Sequence, residues 1–306
     1  MEQYYVGADI GGTTVKLGLF SEQGKLLDQW EIPTNKDNNG SNILPDVATS
    51  VKEKANEHHV VIEGIGVGVP GPVTEDGVVL KCANLGWDVF SVEDKVRELT
   101  GIEKVKVGND ANVAALGEMW KGGGEGFQSI VMVTLGTGVG GGVILNGKIL
   151  TGSKGAGGEI GHTKVEYNEE DTCGCGNHGC LEQYASATGI VRMAHKELEK
   201  KHKSVGHLSA KTIFDAAKAG DSFYVQIVEK FGLYLGTALS NVACVVDPDA
   251  FVIGGGVSKA GQIIIDLVEK YYNQKAMFAL RNKKIVLAKL GNDAGIYGCA
   301  KLVMGV

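Results

Sequence analysis

What most constrains this chain is the placement of its glycines. There are 46 in 306 residues, well above the roughly 7% of an average protein. They collect at Gly7 to Gly18, Gly64 to Gly71, Gly122 to Gly126, Gly136 to Gly142, Gly152 to Gly161 and Gly254 to Gly256. Most of these sites end apolar, β-prone runs, so they mark tight turns around a ligand rather than low-complexity filler. Two of the turns are alike. Tyr4 to Ile10 leads through Gly11-Gly12-Thr13 into Thr14 to Phe20, and Ile130 to Leu135 leads through Gly136 to Gly142 into Val143 to Leu145. A strand, a turn of glycine and threonine, and a second strand therefore occur once in each half, which predicts two structurally related halves.

The remaining patterning is that of an α/β protein. Tyr4 to Ile10, Thr14 to Phe20 and Lys25 to Ile32 are expected to form an antiparallel meander. Helices are expected at Asn42 to Glu57, Ser91 to Leu99 and Ala111 to Trp120, with strands at Gly64 to Val69 and Val105 to Val107. The second half reads as helix-rich, with Tyr184 to Lys203, Ala210 to Ala219 and Ser222 to Val246 before a strand at Ala250 to Ile253. A last helix, Ala294 to Val303, is expected to cross back to the first lobe. The length suits two lobes and a cleft. Gly122 to Gly126 is the candidate hinge, because glycine adopts backbone angles closed to other residues. The expected division is a small N-terminal lobe, 1–121 joined by the helix at 293–306, and a large lobe, 122–292.

Composition narrows the function. The formal net charge is −6, and no run of Lys and Arg forms a stripe that could track a phosphate backbone, which argues against nucleic acid. Met1 to Tyr5 passes straight into a strand without a basic leader or apolar signal core, so a cytoplasmic protein is expected. No apolar stretch approaches the roughly 18 to 20 residues that span a bilayer, which argues against a membrane partner.

Five groups of residues carry chemistry. In the segment from Asp9 to Lys16, Gly11, Gly12, Thr13 and Thr14 let backbone N–H groups close on phosphate oxygens, Asp9 can hold hydrated Mg²⁺, and Lys16 lies beside them. Gly136, Thr137, Gly138 and Gly140 offer the same chemistry from the other half. Neither turn has the P-loop or dinucleotide-binding pattern, which leaves a strand-turn-strand phosphate clamp. Gly254, Gly255 and Gly256 follow an apolar strand and present bare backbone to a flat ring such as the adenine of ATP. Asp110 ends a strand and opens a helix. It can be the helix N-cap, or the carboxylate that accepts a proton from a sugar hydroxyl during phosphoryl transfer.

His162 precedes Cys173, Cys175 and Cys180 at a spacing that suits a structural Zn²⁺ of three thiolates and one imidazole. His178 competes as a ligand, and a thiol redox cluster is the alternative. Cys82, Cys244 and Cys299 lie apart in apolar contexts and read as inert core thiols.

With Asp9-x-Gly11-Gly12-Thr13, Asn109-Asp110, Gly136-Thr137-Gly138-x-Gly140-Gly141-Gly142, Glu159-x-Gly161-His162, the cysteine cluster and Glu182, the chain resembles the ROK family of bacterial sugar kinases and repressors over essentially its whole length. The resemblance implies a two-lobed, actin-like (ribonuclease-H-like) α/β fold in which a hexose and ATP meet in the interlobe cleft, and a homodimer. It implies that Asp110 is the general base and that Asn84, Asn109, Glu159, His162 and Glu182 bind the sugar, with Gly71 beside them. It places His162, Cys173, Cys175 and Cys180 on zinc. Ala83 to Trp87 resembles the sugar loop of the glucose-phosphorylating members, so glucose is the expected acceptor, with fructose, mannose or N-acetylmannosamine as the alternative. Repressors of this family carry an N-terminal helix-turn-helix, and the first phosphate turn here starts at Asp9, which argues for the kinase.

Overall fold

The computed structural model describes residues 2–202 and 206–305. The chain begins with β1 (Tyr4–Ile10), β2 (Thr14–Ser21) and β3 (Leu26–Pro33), then a single turn α1 (Asp37–Gly40) and the helix α2 (Ile43–Glu57). Next come β4 (Ile62–Val69), the short β5 (Val78–Val79) and β6 (Phe90–Ser91), α3 (Val92–Thr100), β7 (Lys104–Asn109) and α4 (Asp110–Lys121). The following stretch holds β8 (Ile130–Leu135), β9 (Val139–Leu145), β10 (Lys148–Ile149), α5 (Glu182–Ala185), α6 (Ala187–Lys200), α7 (Ala210–Lys218) and α8 (Ser222–Val246). It closes with β11 (Ala250–Gly254), α9 (Gln262–Lys275), β12 (Lys284–Leu287) and α10 (Ala294–Met304).

These elements form two units. One holds Met1–Gln128, Gly142–Gly158 and Leu290–Val306, and the other Ser129–Gly141 and Glu159–Lys289. The expected division at 121/122 did not include the return of Gly142–Gly158 to the first unit. Nor is the glycine segment at 122–126 slack. Gly122 and Gly124 N–H both donate to the Glu118 carbonyl, at 3.0 and 2.9 Å, and Gly123 N–H donates to Glu118 Oε2 at 2.7 Å. The Glu118 side chain is fully buried, and its Oε1 accepts from Leu290 N–H at 2.8 Å. The segment is thus a turn built around one carboxyl group.

The first unit contains a five-stranded sheet of order β3-β2-β1-β4-β7. The meander is antiparallel, with Tyr5 opposite Phe20 and Leu17 opposite Trp30, while β1, β4 and β7 run parallel. The other sheet has the order β10-β9-β8-β11-β12, with β9 and β10 antiparallel and β8, β11 and β12 parallel. The unit boundary falls inside β9, after Gly141. The two orders correspond strand for strand, the repeated arrangement of the actin-like, ribonuclease-H-like α/β class.

In the first unit, Ile10, Leu17, Val47, Ile65 and Val96 pack into one core between the sheet and α2 and α3. The other face is covered by α10 with α4, where Phe20 and Ile296 form a second, smaller core with Trp120 and Tyr297 around them. That contact depends on absent side chains. A Cβ on Gly298 would lie 1.6 Å from the Val113 carbonyl oxygen, one on Gly66 1.7 Å from that of Cys299, and one on Gly7 2.1 Å from that of Ile296. In the other unit, Phe231, Leu235 and Leu239 present a fully buried stripe of α8 at the spacing of one helical face. Phe231 meets Phe214 of α7 edge-on at 5.4 Å.

Further expectations change. Cys244 is exposed, unlike the buried thiols Cys82 and Cys299. Val139 to Gly142 is strand rather than turn, because β9 starts at Val139. A Cβ on Gly142 would meet the Ala111 carbonyl at 2.8 Å and the Ala115 methyl at 2.6 Å, so glycine there serves packing. The helix expected from Tyr184 to Lys203 is broken at Ser186, whose hydroxyl donates to the Glu182 carbonyl (2.7 Å) and accepts from Gly189 N–H (2.9 Å). Ser186 thereby caps α6; Lys203 lies outside the described residues. Finally, α9 and β12 have no counterpart among the expected elements. Among the described residues no helix is long and apolar enough to cross a membrane.

Candidate active site

In the first unit, β1 delivers Asp9 to the edge of the turn Gly11–Thr13. Gly11 N–H closes the turn on the Thr14 carbonyl at 3.0 Å, and a Cβ on Gly11 would sit 2.8 Å from that oxygen. Gly12 faces open space, so its backbone is reachable. Burial pushes the Asp9 carboxyl up to about 6, helped by the charge of Asp110 and opposed by Lys16. The oxygens of Asp9 fit only because Gly295, in the first turn of α10, has no side chain: a Cβ there would be 2.1 Å from Oδ2. A carboxyl group crowded by burial and by a second acid is a site that a cation would relieve. The residues present fit a hydrated Mg²⁺. Lys16 pairs with Glu31 (3.5 Å) and Asp293 (3.7 Å), and its charge reaches Asp9 only as the opposing influence just noted.

Asp110 is the first residue of α4, not its cap. The cap is Asn109, whose Oδ1 accepts from Ala111 N–H (3.0 Å) and Asn112 N–H (3.1 Å). The amide of Asn109 donates to the Gly71 carbonyl (3.1 Å) and to Asp110 Oδ1 (3.0 Å), and Ala111 N–H adds a bond to the same oxygen at 2.8 Å. In this conformation Asn109 orients Asp110 rather than reaching outward. Gly71 has φ +103°, with Lys81 O only 2.7 Å from where a Cβ would be, so the left-handed turn that lets its carbonyl meet Asn109 requires glycine. Asn84 is exposed in a tight hairpin closed by Cys82 and Trp87, each N–H bonded to the other's carbonyl at 3.0 Å.

In the other unit, the turn Gly136–Gly138 closes through Gly136 N–H to the Gly138 carbonyl at 3.0 Å. Glu182 holds it from behind, its Oε2 accepting from Val139 N–H at 3.0 Å in space that a Cβ on Gly138 would fill. Ala187 N–H donates to the Gly136 carbonyl at 2.8 Å and Thr188 Oγ1 to that of Thr137 at 2.7 Å. Gly255, at φ +83°, packs against the backbone of Leu135. Gly136, Thr137 and Gly256 then line one cavity of about 580 Å³ with Ala210, Lys211, Phe214, Lys218 and Lys259, within the usual size of small-ligand sites. The structure therefore joins two glycine motifs in one pocket, while Gly140 lies inside β9. Sequence reasoning placed α7, whose start the Ser209–Thr212 capping box marks, but missed that it walls this pocket.

The last group is the candidate metal cluster. His162 ends a short 3₁₀ turn, Ile160–His162, and Gly161 lets that turn lie on Val139, whose carbonyl oxygen would be 2.0 Å from an added Cβ. One ligand atom from each of His162, Cys173, Cys175 and Cys180 lies within 4.8 Å of the others. Cys175 Sγ is 3.6 Å from Cys180 Sγ, and Cys173 Sγ is 3.8 Å from His162 Nδ1. Tetrahedral zinc with bonds near 2.3 Å sets ligands about 3.8 Å apart, so the group fits that metal. Burial pushes the Cys173 thiol up and that of Cys180 up to about 12, and keeping thiolates together there takes a cation. His178 is outside the group, with Nδ1 3.1 Å from the Asp171 carbonyl. Glu182 Oε1 is 3.8 Å from Cys173 Sγ, and Glu159 is exposed immediately before the 3₁₀ turn.

The model of the ROK family matches residues 5–306. A glucokinase of Halalkalibacterium halodurans is 42% identical over 99% of this chain and 95% of its own length. The structure of a ROK family glucokinase from Streptomyces griseus, in complex with glucose and AMPPNP, is 33% identical with a TM-score of 0.74, covering 97% of this chain and 98% of that one. A ROK hexokinase from Thermus thermophilus is 31% identical with a TM-score of 0.80, covering 98% and 97%. This chain belongs to the ROK family.

Proposed function

We propose that the protein is an ATP-dependent glucokinase that transfers the γ-phosphoryl group of ATP to the 6-hydroxyl of glucose. The observation that carries this reading is the fixation of Asp110: the cap residue Asn109 and Ala111 N–H both bond its Oδ1, as a base aimed at one hydroxyl requires. Asp110 accepts the proton of the sugar hydroxyl as it attacks. The turns at Gly11–Thr13 and Gly136–Gly138 offer backbone N–H groups to the phosphates, and the pocket bounded by Gly256 and Phe214 receives the adenine end. Mg²⁺ bound through water at Asp9 would neutralise charge on the phosphates.

Asn84, Asn109, Glu159, His162 and Glu182 are proposed to bind the sugar, near Gly71. Asn109 does so by exchanging one of its present bonds. His162 would serve twice, because a metal held at one ring nitrogen would fix the ring and leave the other nitrogen for a hydroxyl. The metal is proposed to be a structural zinc, the working form a cytoplasmic homodimer. Steady-state kinetics of Asp110→Asn, which keeps the shape and removes the proton acceptor, test the reading. We expect kcat to fall at least about 10²-fold with KM for glucose little changed; near-normal kcat would reduce Asp110 to a structural residue.

A further inference from the structure

The segment between β3 and α2 is strained, and the reaction as described does not use it. Asn38, Asn39 and Gly40 have φ of 52°, 58° and 68°, three successive residues in the left-handed region, which asparagine tolerates better than other side chains but which still costs free energy. Such strain persists only where surrounding contacts impose it. Here the contacts are with the sugar hairpin. The Gly40 carbonyl accepts from Trp87 Nε1 at 3.1 Å in a buried setting. A Cβ on Gly40 would stand 2.5 Å from the Leu85 carbonyl oxygen, and one on Gly86 3.0 Å from Asn39 Cα. Leu85 and Trp87 are 1% and 5% exposed, so the two residues flanking Gly86 are anchored while Asn84 stays at the surface. At its other end the segment is tied to the first phosphate turn, with Thr34 Oγ1 donating to the Gly11 carbonyl at 2.7 Å and Thr34 N–H to that of Thr13 at 2.9 Å.

We infer that Thr34 to Gly40 is a positioning element for hexose binding, a strut that fixes the Ala83–Trp87 hairpin, and with it Asn84, relative to the phosphate turn. The inference rests on the hexose-kinase reading. Trp87→Phe removes the indole donor and keeps an aromatic ring; the control Trp30→Phe removes a comparable bond, Trp30 Nε1 to Ser50 Oγ at 2.7 Å, which joins β3 to α2 rather than to the hairpin. Kinetics should show the KM for glucose raised about fivefold in Trp87→Phe, the effect of one lost hydrogen bond. The KM for ATP should stay within about twofold of wild type by the same reasoning, and Trp30→Phe should leave both unchanged. Hydrogen–deuterium exchange on the wild type, which does not depend on a variant folding, should show glucose alone protecting amides of 36–41 together with those of 83–87. Protection confined to 83–87, an unchanged glucose KM in Trp87→Phe, or equal shifts in both tryptophan variants would overturn the strut. A wild-type protein that phosphorylates no hexose would instead overturn the kinase reading on which it stands.

Discussion

Two aspartates divide the work at the residue scale. Asp110 gains its place from hydrogen bonds, and the Asn109 that supplies one of them is itself held by Gly71. Asp9 is set by steric relief at Gly295 and by burial. Because burial raises the Asp9 carboxyl to about 6, the folded protein binds a proton more tightly there than the unfolded chain does. Its contribution to stability is therefore fully present below the unfolded value near 3.8 and is lost as pH rises through about 6. Without Mg²⁺ or nucleotide, Asp9→Asn should melt about 2–4 °C above wild type at pH 8, with the difference shrinking towards zero near pH 4. Thermal melts at the two pH values check it. A variant less stable than wild type at pH 8 would mean that the charge is already compensated. In its proposed role as the Mg²⁺ site, Asp9 predicts that kcat/KM falls below about pH 6 as the residue takes up its proton.

At the scale of elements, glycine does two different jobs, and only one is evident from spacing. Gly12 stands in open space, whereas Gly298 is pressed on the Val113 carbonyl. Gly12→Ala should leave urea stability within about 1 kcal/mol while raising the KM for ATP, because a methyl group obstructs the phosphate approach. Gly298→Ala should cost about 3 kcal/mol or more by overpacking α10 on α4. Equal stability losses in the two would contradict the distinction. This difference also explains what the sequence made legible. The meander, α2, α4 and α8 were evident because period and turn residues agree there with the tertiary structure. Gly140 to Gly142 read as turn because a glycine run carries no sign that Ala111 and Ala115 of α4 lie against Gly142. The break at Ser186 was masked by apolar periodicity running through it, although Ser186 to Gly189 is a legible cap once the hydroxyl bonds are seen. By sequence Asp110 is a possible cap, because Asn and Asp have similar capping preference, and only geometry separates it from Asn109. The pocket wall on α7 was out of reach, since Phe214 and Lys211 approach Gly256 through folding alone.

For the whole molecule, each unit carries part of the proposed machinery: Asp9, Asn84 and Asp110 in one, Glu159, His162 and Glu182 in the other. The group of His162, Cys173, Cys175 and Cys180 belongs to the second, where Glu182 stands between it and the turn Gly136–Gly138. Elemental analysis after dialysis against a weak chelator should find about one zinc per chain, and Cys175→Ser should lose it. Removal should raise the KM for glucose more than that for ATP, since His162 is proposed to serve both metal and sugar, and the cavity proposed to take the nucleotide is not lined by the cluster. Metal-free protein with unchanged glucose kinetics would remove zinc from the site. Acceptor choice tests the central claim most directly. A site that pairs with particular hydroxyls rejects an analogue that leaves its buried groups unpaired, by up to roughly 10⁴-fold. With saturating ATP and Mg²⁺, kcat/KM measured for glucose, mannose, fructose and N-acetylmannosamine should be highest for glucose; a higher value for any of the other three would contradict the glucokinase assignment.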